Sequence, residues 1–403
     1  MGTPQDHLPA ALSDDQIQAL MTSLALPRPT SIEPLQVAAA FHSIYLVHFT
    51  GSCAAALRPA QTRNPDGSVT LVLRVAGSHL PRTKTINEVA VMRWVGEHTS
   101  IPVPAMVRFD ASEDNPVGHE FTLLECAPGR SVDALYPGMS DEAKEALVER
   151  LTDVLVELNG HEWSHVGGLR LTHDGAVVPG PVLEDTFWMT PDIAEHWGSG
   201  ETVATLNPTG PYDSHAALVA AYLGCFARAI DAHVSLAWLR ETSPRLRALA
   251  DHVLLPQETP LSSALASTRL ILAHKDLHLA NVMATPDGRR LTAVLDWEFA
   301  GVVPAPRWDP VRAFLWDGRS SGGGGEEKER MRRLFERALE RRGVRPWWLG
   351  REDEDAAQRV AEHVWTVVGH ARALVEVCPR GQRSDKVDGW RRTLEEALTR
   401  LGV

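Results

Sequence analysis

The hydrophobic period of this chain shifts, near residue 127, from mainly strand-like to mainly helical, and no internal repeat is present. Before it the pattern is that of strands. Ser68–Val75 (Ser-Val-Thr-Leu-Val-Leu-Arg-Val) is rich in β-branched residues and follows Asn64-Pro65-Asp66-Gly67, a turn by composition. Ile44–Phe49 is its expected antiparallel neighbour. A helix of about three turns is expected around Ile86–Val95, and Phe121–Cys126 is a further apolar run. Ala127-Pro128-Gly129 breaks the pattern, so a lobe boundary is expected there, with residues 1–127 in the first lobe and 128–403 in the second.

Beyond the break the period is helical. Leu147, Leu151, Val154, Leu155 and Leu158 recur at helix spacing, behind Ser140-Asp141-Glu142 as a start and before Asn159-Gly160 as a stop. Met331, Leu334, Phe335, Ala338 and Leu339 repeat the pattern up to Gly343, and Trp390, Leu394, Ala397, Leu398 and Leu401 form a last amphipathic run. A small strand-rich lobe followed by a larger, mostly helical one is an α+β arrangement, with the cleft between lobes as the expected ligand site.

Composition narrows the function classes. With 44% hydrophobic residues the chain can build substantial cores, which excludes a disordered one. Its 40 Lys+Arg against 52 Asp+Glu give a net charge of −12, which argues against a nucleic-acid partner. The longest uncharged apolar run, Ala216–Ala227, falls short of the roughly 20 residues that cross a bilayer. The first residues carry no basic-then-apolar leader, and Asp6 spoils a myristoylation signal, so a cytoplasmic location without membrane partner is expected. Cys53, Cys126, Cys225 and Cys378 are scattered and read as buried free thiols. Ser320–Gly325 reads as a flexible connection, since no Lys-Ser/Thr follows its glycines.

The chemistry is concentrated between Leu270 and Asp309. A strand-like segment leads into His274-Lys275-Asp276-Leu277-His278-Leu279-Ala280-Asn281. A turn at Pro286-Asp287-Gly288 and a second strand follow, ending in Asp296-Trp297-Glu298. Folded as a hairpin about Asp287, the segment brings Asn281 and Asp296 to one end of two paired strands, with Asp276 in the loop just ahead. Three oxygen-bearing side chains at one mouth suit phosphoryl transfer. Magnesium takes carboxylate and amide oxygens, here Asn281 and Asp296, while Asp276 can orient an acceptor hydroxyl and receive its proton.

These motifs resemble the aminoglycoside phosphotransferase/choline kinase-like family, the small-molecule branch of the protein-kinase-like fold. The pattern H-x-D-x-H-x-x-N followed by Asp-Trp is matched at His274, Asp276, His278, Asn281 and Asp296, and the resemblance runs from about Leu35 to Asp309. It implies a bilobal fold with a nucleotide-binding first lobe, ATP and Mg2+ as cofactors, and a small-molecule hydroxyl as substrate. ATP over GTP rests on the resemblance alone. The position resembling the family's phosphate-contacting lysine is Arg74, and Glu88 matches the helix glutamate that holds it. Val91, Met92 and Val95 share the face of Glu88, so that face points inward and its carboxylate needs a cation. Lys84, four residues earlier, is a rival partner. Ala39–Ser43 resembles the nucleotide-covering loop, with Ser43 as a phosphate contact. Leu124-Glu125-Cys126 resembles the hinge, where backbone groups of Glu125 and Cys126 would pair with adenine. Asp309 resembles the family's third aspartate, although capping a helix before Pro310 is its expected job.

Other readings stand beside these. His274 is expected to brace the loop, and His278 either to brace it or to contact a ligand. His274-x-Asp276-x-His278 could instead hold a transition metal in a hydrolase. A kinase-like protein that binds nucleotide without catalysing is a further alternative. Trp188, Trp197 and Trp238 could box a cation, and Glu184, Asp185, Asp192 and Glu195 could attract an aminated substrate or simply form a solvated acidic face. Substrate identity and oligomeric state are left open.

Overall fold

The computed structural model describes residues 7–36, 40–59, 61–255, 259–310, 324–348 and 356–403. The first third is organised by one five-stranded antiparallel sheet in the order β1-β2-β3-β5-β4, with β1 Ser31–Pro34, β2 His42–Phe49, β3 Val69–Ala76, β4 Met106–Asp110 and β5 Phe121–Glu125. Strands β2 and β3 pair from His42↔Ala76 to Phe49↔Val69, and β3 pairs with β5 through Arg74↔Thr122. Because successive side chains alternate, the sheet has two distinct faces. Leu71, Leu73, Val75, Tyr45, Val47, Phe49, Phe121 and Leu123 form a core with Ile17, Leu20 and Met21 of helix α1, Asp14–Ser23. Arg74, Val72 and Leu124 belong to the other face, which looks toward the second half of the chain.

Helix α2, Thr83–His98, lies on that second face. Its Ala90, Val91, Met92 and Val95 share a core with Leu147, Leu151, Val154, Leu155 and Leu158 of α4, Asp141–Asn159. Ser140 caps α4 by accepting from the Ala143 N–H at 3.2 Å, with Asp141 and Glu142 in the first turn. Between sheet and α4 the chain passes through Gly129, β6 (Arg130–Ser131) and the single turn α3 (Val132–Leu135). A Cβ at Gly129 would run into the Ala284 carbonyl, and its φ of +100° is outside the range L side chains favour.

The middle of the chain carries β7 (Leu169–Leu171) with β8 (Val177–Pro179), then α5 (Thr190–His196), α6 (Val203–Leu206), α7 (His215–Ala232), α8 (Ser243–Val253) and α9 (Pro260–Ala266). Helices α7, α8 and α9 build a second core with the C-terminal helices Ala356–Val377 and Ser384–Arg400. Strand β9 (Leu270–Ala273) pairs with β12 (Gly301–Pro304). Between them β10 (Val282–Ala284) and β11 (Leu291–Val294) form a hairpin to which β6 adds as third strand. Helix Gly324–Arg341 packs on α4, and its Met331, Phe335 and Leu339 join that core.

The expected α+β architecture is what the structure has. Gly324 and Gly325 open a helix rather than a connection, and 320–323 lie outside the described residues. The four cysteines are free, but half-buried rather than buried. The apolar run 216–227 lies within α7. Among the described residues no helix is long and apolar enough to cross a membrane.

Candidate active site

The site begins with a hairpin. Val282 pairs with Val294, and the Leu295 N–H donates to the Asn281 carbonyl at 2.8 Å, so Asn281 and Asp296 lie at the same open end of β10 and β11. Asn281 Nδ2 donates to the Asp276 carbonyl at 3.0 Å and to Asp276 Oδ2 at 3.2 Å, which leaves its Oδ1 as the free-facing amide oxygen. His278 accepts from the Ala280 N–H at Nδ1, 3.2 Å, and turns Nε2 toward Asp276 Oδ2 at 3.5 Å. That contact with Asp276 raises the His278 pKa above its ordinary value. Asp276 itself is 54% exposed at the side chain, open to a reactant.

His274 is buried behind the loop. Nε2 donates to the Leu295 carbonyl at 2.8 Å, and its ring packs on Trp297 at 4.5 Å. A carbonyl can only accept, so the proton sits on Nε2 and Nδ1 is bare, buried and without a hydrogen-bond partner. Burial lowers its pKa and keeps it neutral. Two residues at this mouth, Lys275 and Asp296, have positive φ (65° and 66°), which L residues hold only where their surroundings over-determine them. Lys275 is tied down by the Leu183 carbonyl and by Glu184 at 3.2 Å.

Facing the hairpin is a buried charge cluster. Arg74 forks between Glu88 and Asp296, with Nη2 2.6 Å from Asp296 Oδ1. Burial alone would lower the Arg74 pKa, but Glu88 and Asp296 override it and raise it. In turn, burial would raise Asp296 and the Arg74 guanidinium holds it below the usual carboxylate range. Lys84 does not pair with Glu88: its Nζ lies 2.5 Å from Glu298 Oε2, and both side chains are under 5% exposed. His42 sits between the cations, 3.2 Å from Arg74 Nη2 and 3.0 Å from Lys84 Nζ. Burial, then Lys84 and Arg74, hold its pKa well below the ordinary value. Burial pushes Glu298 up to about 7 against the pull of Lys84.

Two expectations meet a different arrangement. Ser43 lies on the other face of β2 from Arg74: its cross-strand partner is Val75, in the α1 core, and its hydroxyl donates to the Pro9 carbonyl at 3.5 Å. Strand alternation puts Ile44, opposite Arg74, and His42 on the Arg74 face, and His42, a residue the sequence reading passed over, reaches the guanidinium. Ala39 of that loop lies outside the described residues. At the hinge, the N–H groups of Glu125 and Cys126 donate to the carbonyls of Ala105 (2.9 Å) and Thr70 (3.3 Å), so neither is left to donate to an adenine ring. The Glu125 carboxylate braces Thr62 and the Ala105 N–H. Asp309 is close enough to Arg332 to act on its charge, and the residues it would cap lie outside the described ones.

Among the described residues no three His, Cys, Asp or Glu side chains gather to hold a metal, so His274, Asp276 and His278 do not form the transition-metal site. The two oxygen donors Asn281 and Asp296 fit magnesium, which takes few protein ligands and prefers oxygen. Trp188 and Trp197 meet edge-on at 5.2 Å inside the helical core, and Arg380 covers Trp188 at 3.9 Å; Trp238 is apart from them against Arg391. They form no cation box. Of the acidic residues, Glu184 pairs with Lys275 and Asp192 with Arg380.

Residues 61–347 match the model of the phosphotransferase enzyme family. The chain belongs to that family. Among curated proteins it is 22% identical over 258 residues to a subtelomeric hrmA-associated cluster protein of Aspergillus fumigatus, covering 55% of this chain and 50% of that one. It is 21% identical over 298 residues, 63% and 48% respectively, to altered inheritance of mitochondria protein 9 of Zygosaccharomyces rouxii. The chain spans about half the length of the curated relatives it matches. Solved structures similar to it include the streptomycin-ATP-APH(2")-IIa ternary complex (14% identity, 96% of this chain and 97% of that one, TM-score 0.47). Another is a thermostable mutant of aminoglycoside phosphotransferase APH(4)-Ia with AMP-PNP and hygromycin B (14%, 93% and 95%, TM-score 0.44).

Proposed function

We propose that this member of the phosphotransferase enzyme family is an ATP- and magnesium-dependent enzyme that moves the γ-phosphoryl group to a hydroxyl of a small molecule. The observation that carries the reading is the hairpin register, in which the Leu295-to-Asn281 hydrogen bond sets Asp296 beside Asn281 and Asn281 within 3.2 Å of Asp276. Asn281 Oδ1 and the Asp296 carboxylate would hold the metal. When bound, magnesium and ATP would supply the transferable phosphoryl group and neutralise the charge that develops on it. Asp276, exposed and acceptor-only when ionised, orients the substrate hydroxyl and takes its proton as the new bond forms. Asn281 and His278 hold that carboxylate in place. Arg74, with Glu88 fixing one side of its fork, turns a guanidinium toward the phosphates. In this reading residues 1–127 serve as the nucleotide lobe, with the hinge contributing carbonyl groups of Glu125 and Cys126, and residues 128–403 as the catalytic and substrate lobe.

The test is calorimetry with ATP, with and without MgCl2 and with GTP as control, followed by a panel of amino alcohols, aminoglycosides, homoserine-like metabolites and sugars. Magnesium-requiring nucleotide binding and turnover with one acceptor class are expected. Asp276→Asn should lower kcat by about 10²–10⁴-fold with nucleotide binding retained; unchanged turnover removes Asp276 from the chemistry. One contact favours a second reading. Arg74 engages Asp296 at 2.6 Å, so the cation assigned to the phosphates and one carboxylate assigned to the metal neutralise each other. Magnesium-dependent binding with no turnover across the whole panel would select it.

A further inference from the structure

The turn that carries Asp296 is fastened to helix α2 at alternate residues, and the fastening is buried. Residues 84, 87 and 88 lie on one helical face, at i, i+3 and i+4. Residues 296, 298 and 300 follow one another at a spacing of two along the chain that leaves β11. Each helical residue takes one or two of them. Glu88 reaches Asp296 through Arg74. Lys84 holds the Glu298 carboxylate at 2.5 Å. Asn87 Nδ2 donates to the backbone carbonyls of Glu298 (3.0 Å) and Ala300 (2.9 Å), and its Oδ1 accepts from the Leu169 N–H at 2.7 Å. Asn87 thus uses both donors and its acceptor. A side chain at Gly168 would collide with that Oδ1. Lys84 and Asn87 are each 1% exposed.

We propose that Lys84 and Asn87 are positioning residues for Asp296. They act through Glu298 and Ala300, clamping the turn from its far side so that Asp296 keeps its left-handed backbone and aims its carboxylate at the metal position. The inference rests on the functional reading above for what Asp296 does, and on geometry alone for what holds it. A φ of +66° at an L residue persists only where neighbours leave the segment no alternative. On the near side, Arg74 is the partner that a bound nucleotide would draw away. The far-side anchors must then keep Asp296 in place. Neither Lys84 nor Asn87 is open enough to touch substrate, and the anchors they share are on this turn.

The experiment uses the full chain and two variants, Lys84→Met and the double variant Lys84→Met with Glu298→Met. Removing one partner of a buried pair leaves an uncompensated charge, whereas replacing both by apolar residues is often neutral in stability, so the double variant serves where the single one unfolds. Two readouts are taken: hydrogen exchange of the peptide spanning residues 294–301, and the MgCl2 concentration that gives half of the magnesium-dependent gain in ATP affinity. Expected are faster exchange in the double variant at a near-wild-type melting temperature, and a rise of about tenfold in the half-saturating MgCl2, as when a metal ligand loses its support. ATP affinity without magnesium should stay unchanged. Wild-type exchange and wild-type magnesium dependence in the double variant would overturn the proposal. If the wild type shows no magnesium-dependent affinity while exchange still responds, the anchoring stands and the phosphotransferase reading falls.

Discussion

The two walls of the candidate site are built in opposite ways. The hairpin wall, with Asp276, Asn281 and Asp296, comes from 21 consecutive residues, is partly open to solvent, and is held by short backbone-centred hydrogen bonds. The opposite wall joins His42, Arg74, Lys84 and Glu88 to Asp296 and Glu298 across separations of up to 222 residues, and nearly all of it is dry. A local, wet site can lose one group and keep its shape. A buried network of charges cannot, because every member removed leaves another without its partner in a medium of low dielectric. The first wall should therefore respond to mutation in rate, the second in stability.

Asp296 belongs to both walls, so its replacement breaks the contrast most severely. Asp296→Asn is expected to lower turnover by about two to three orders of magnitude, the scale on which a lost electrostatic group acts on a developing charge, and to lower the melting temperature as well, measured by steady-state kinetics and thermal unfolding. Glu88→Gln sharpens the contrast from the dry side. It should destabilise the fold by about 3–5 kcal/mol in urea unfolding, because Arg74 keeps its charge without its main partner; a loss below about 1 kcal/mol would mean the network is looser than its burial indicates. Arg74→Lys retains charge but cannot fork between Glu88 and Asp296, so a smaller change is expected, about 1 kcal/mol in stability with weaker nucleotide affinity by calorimetry.

The smallest effect lies far from either wall and serves as a control for burial without ion pairing. His215 donates from Nδ1 to Thr268 at 3.0 Å and accepts from Trp365 Nε1 at 2.9 Å, an arrangement of the neutral ring. Burial, with Arg307 assisting, lowers its pKa to about 3. The folded pKa is below the unfolded value near 6.5, so the unfolded chain binds the extra proton. Stability is therefore full above about pH 6.5 and is lost as pH falls from there toward 3. His215→Gln should remove one proton's worth of that slope, about 1.4 kcal/mol per pH unit, in urea titrations between pH 6 and 4.

How much of this was legible follows the same division. The strands β2, β3 and β5, the helices α2 and α4 and the β10–β11 hairpin announce themselves through local period and turn residues. Asp287-Gly288 is such a turn, and so is Asn64–Gly67. Position in the motif points to Ser43, whereas the strand's alternation puts His42 on the Arg74 face. Four-residue spacing, a property of the isolated helix, makes Lys84 a candidate partner for Glu88; its actual partner, Glu298, arrives from 214 residues away. The N–H groups of Glu125 and Cys126 are taken by Ala105 and Thr70, partners brought in from elsewhere in the chain.

The sequence alone determined the change from strand to helix and the gathering of Asp276, Asn281 and Asp296, because both depend on contacts within a few tens of residues, where chain geometry leaves little freedom. Only the tertiary structure decided which cation meets which carboxylate, and that helix α2 is seated in the core of the larger, helical half. Those pairings are settled by which groups are desolvated together, and desolvation is a property of the packed molecule that no short stretch of chain contains.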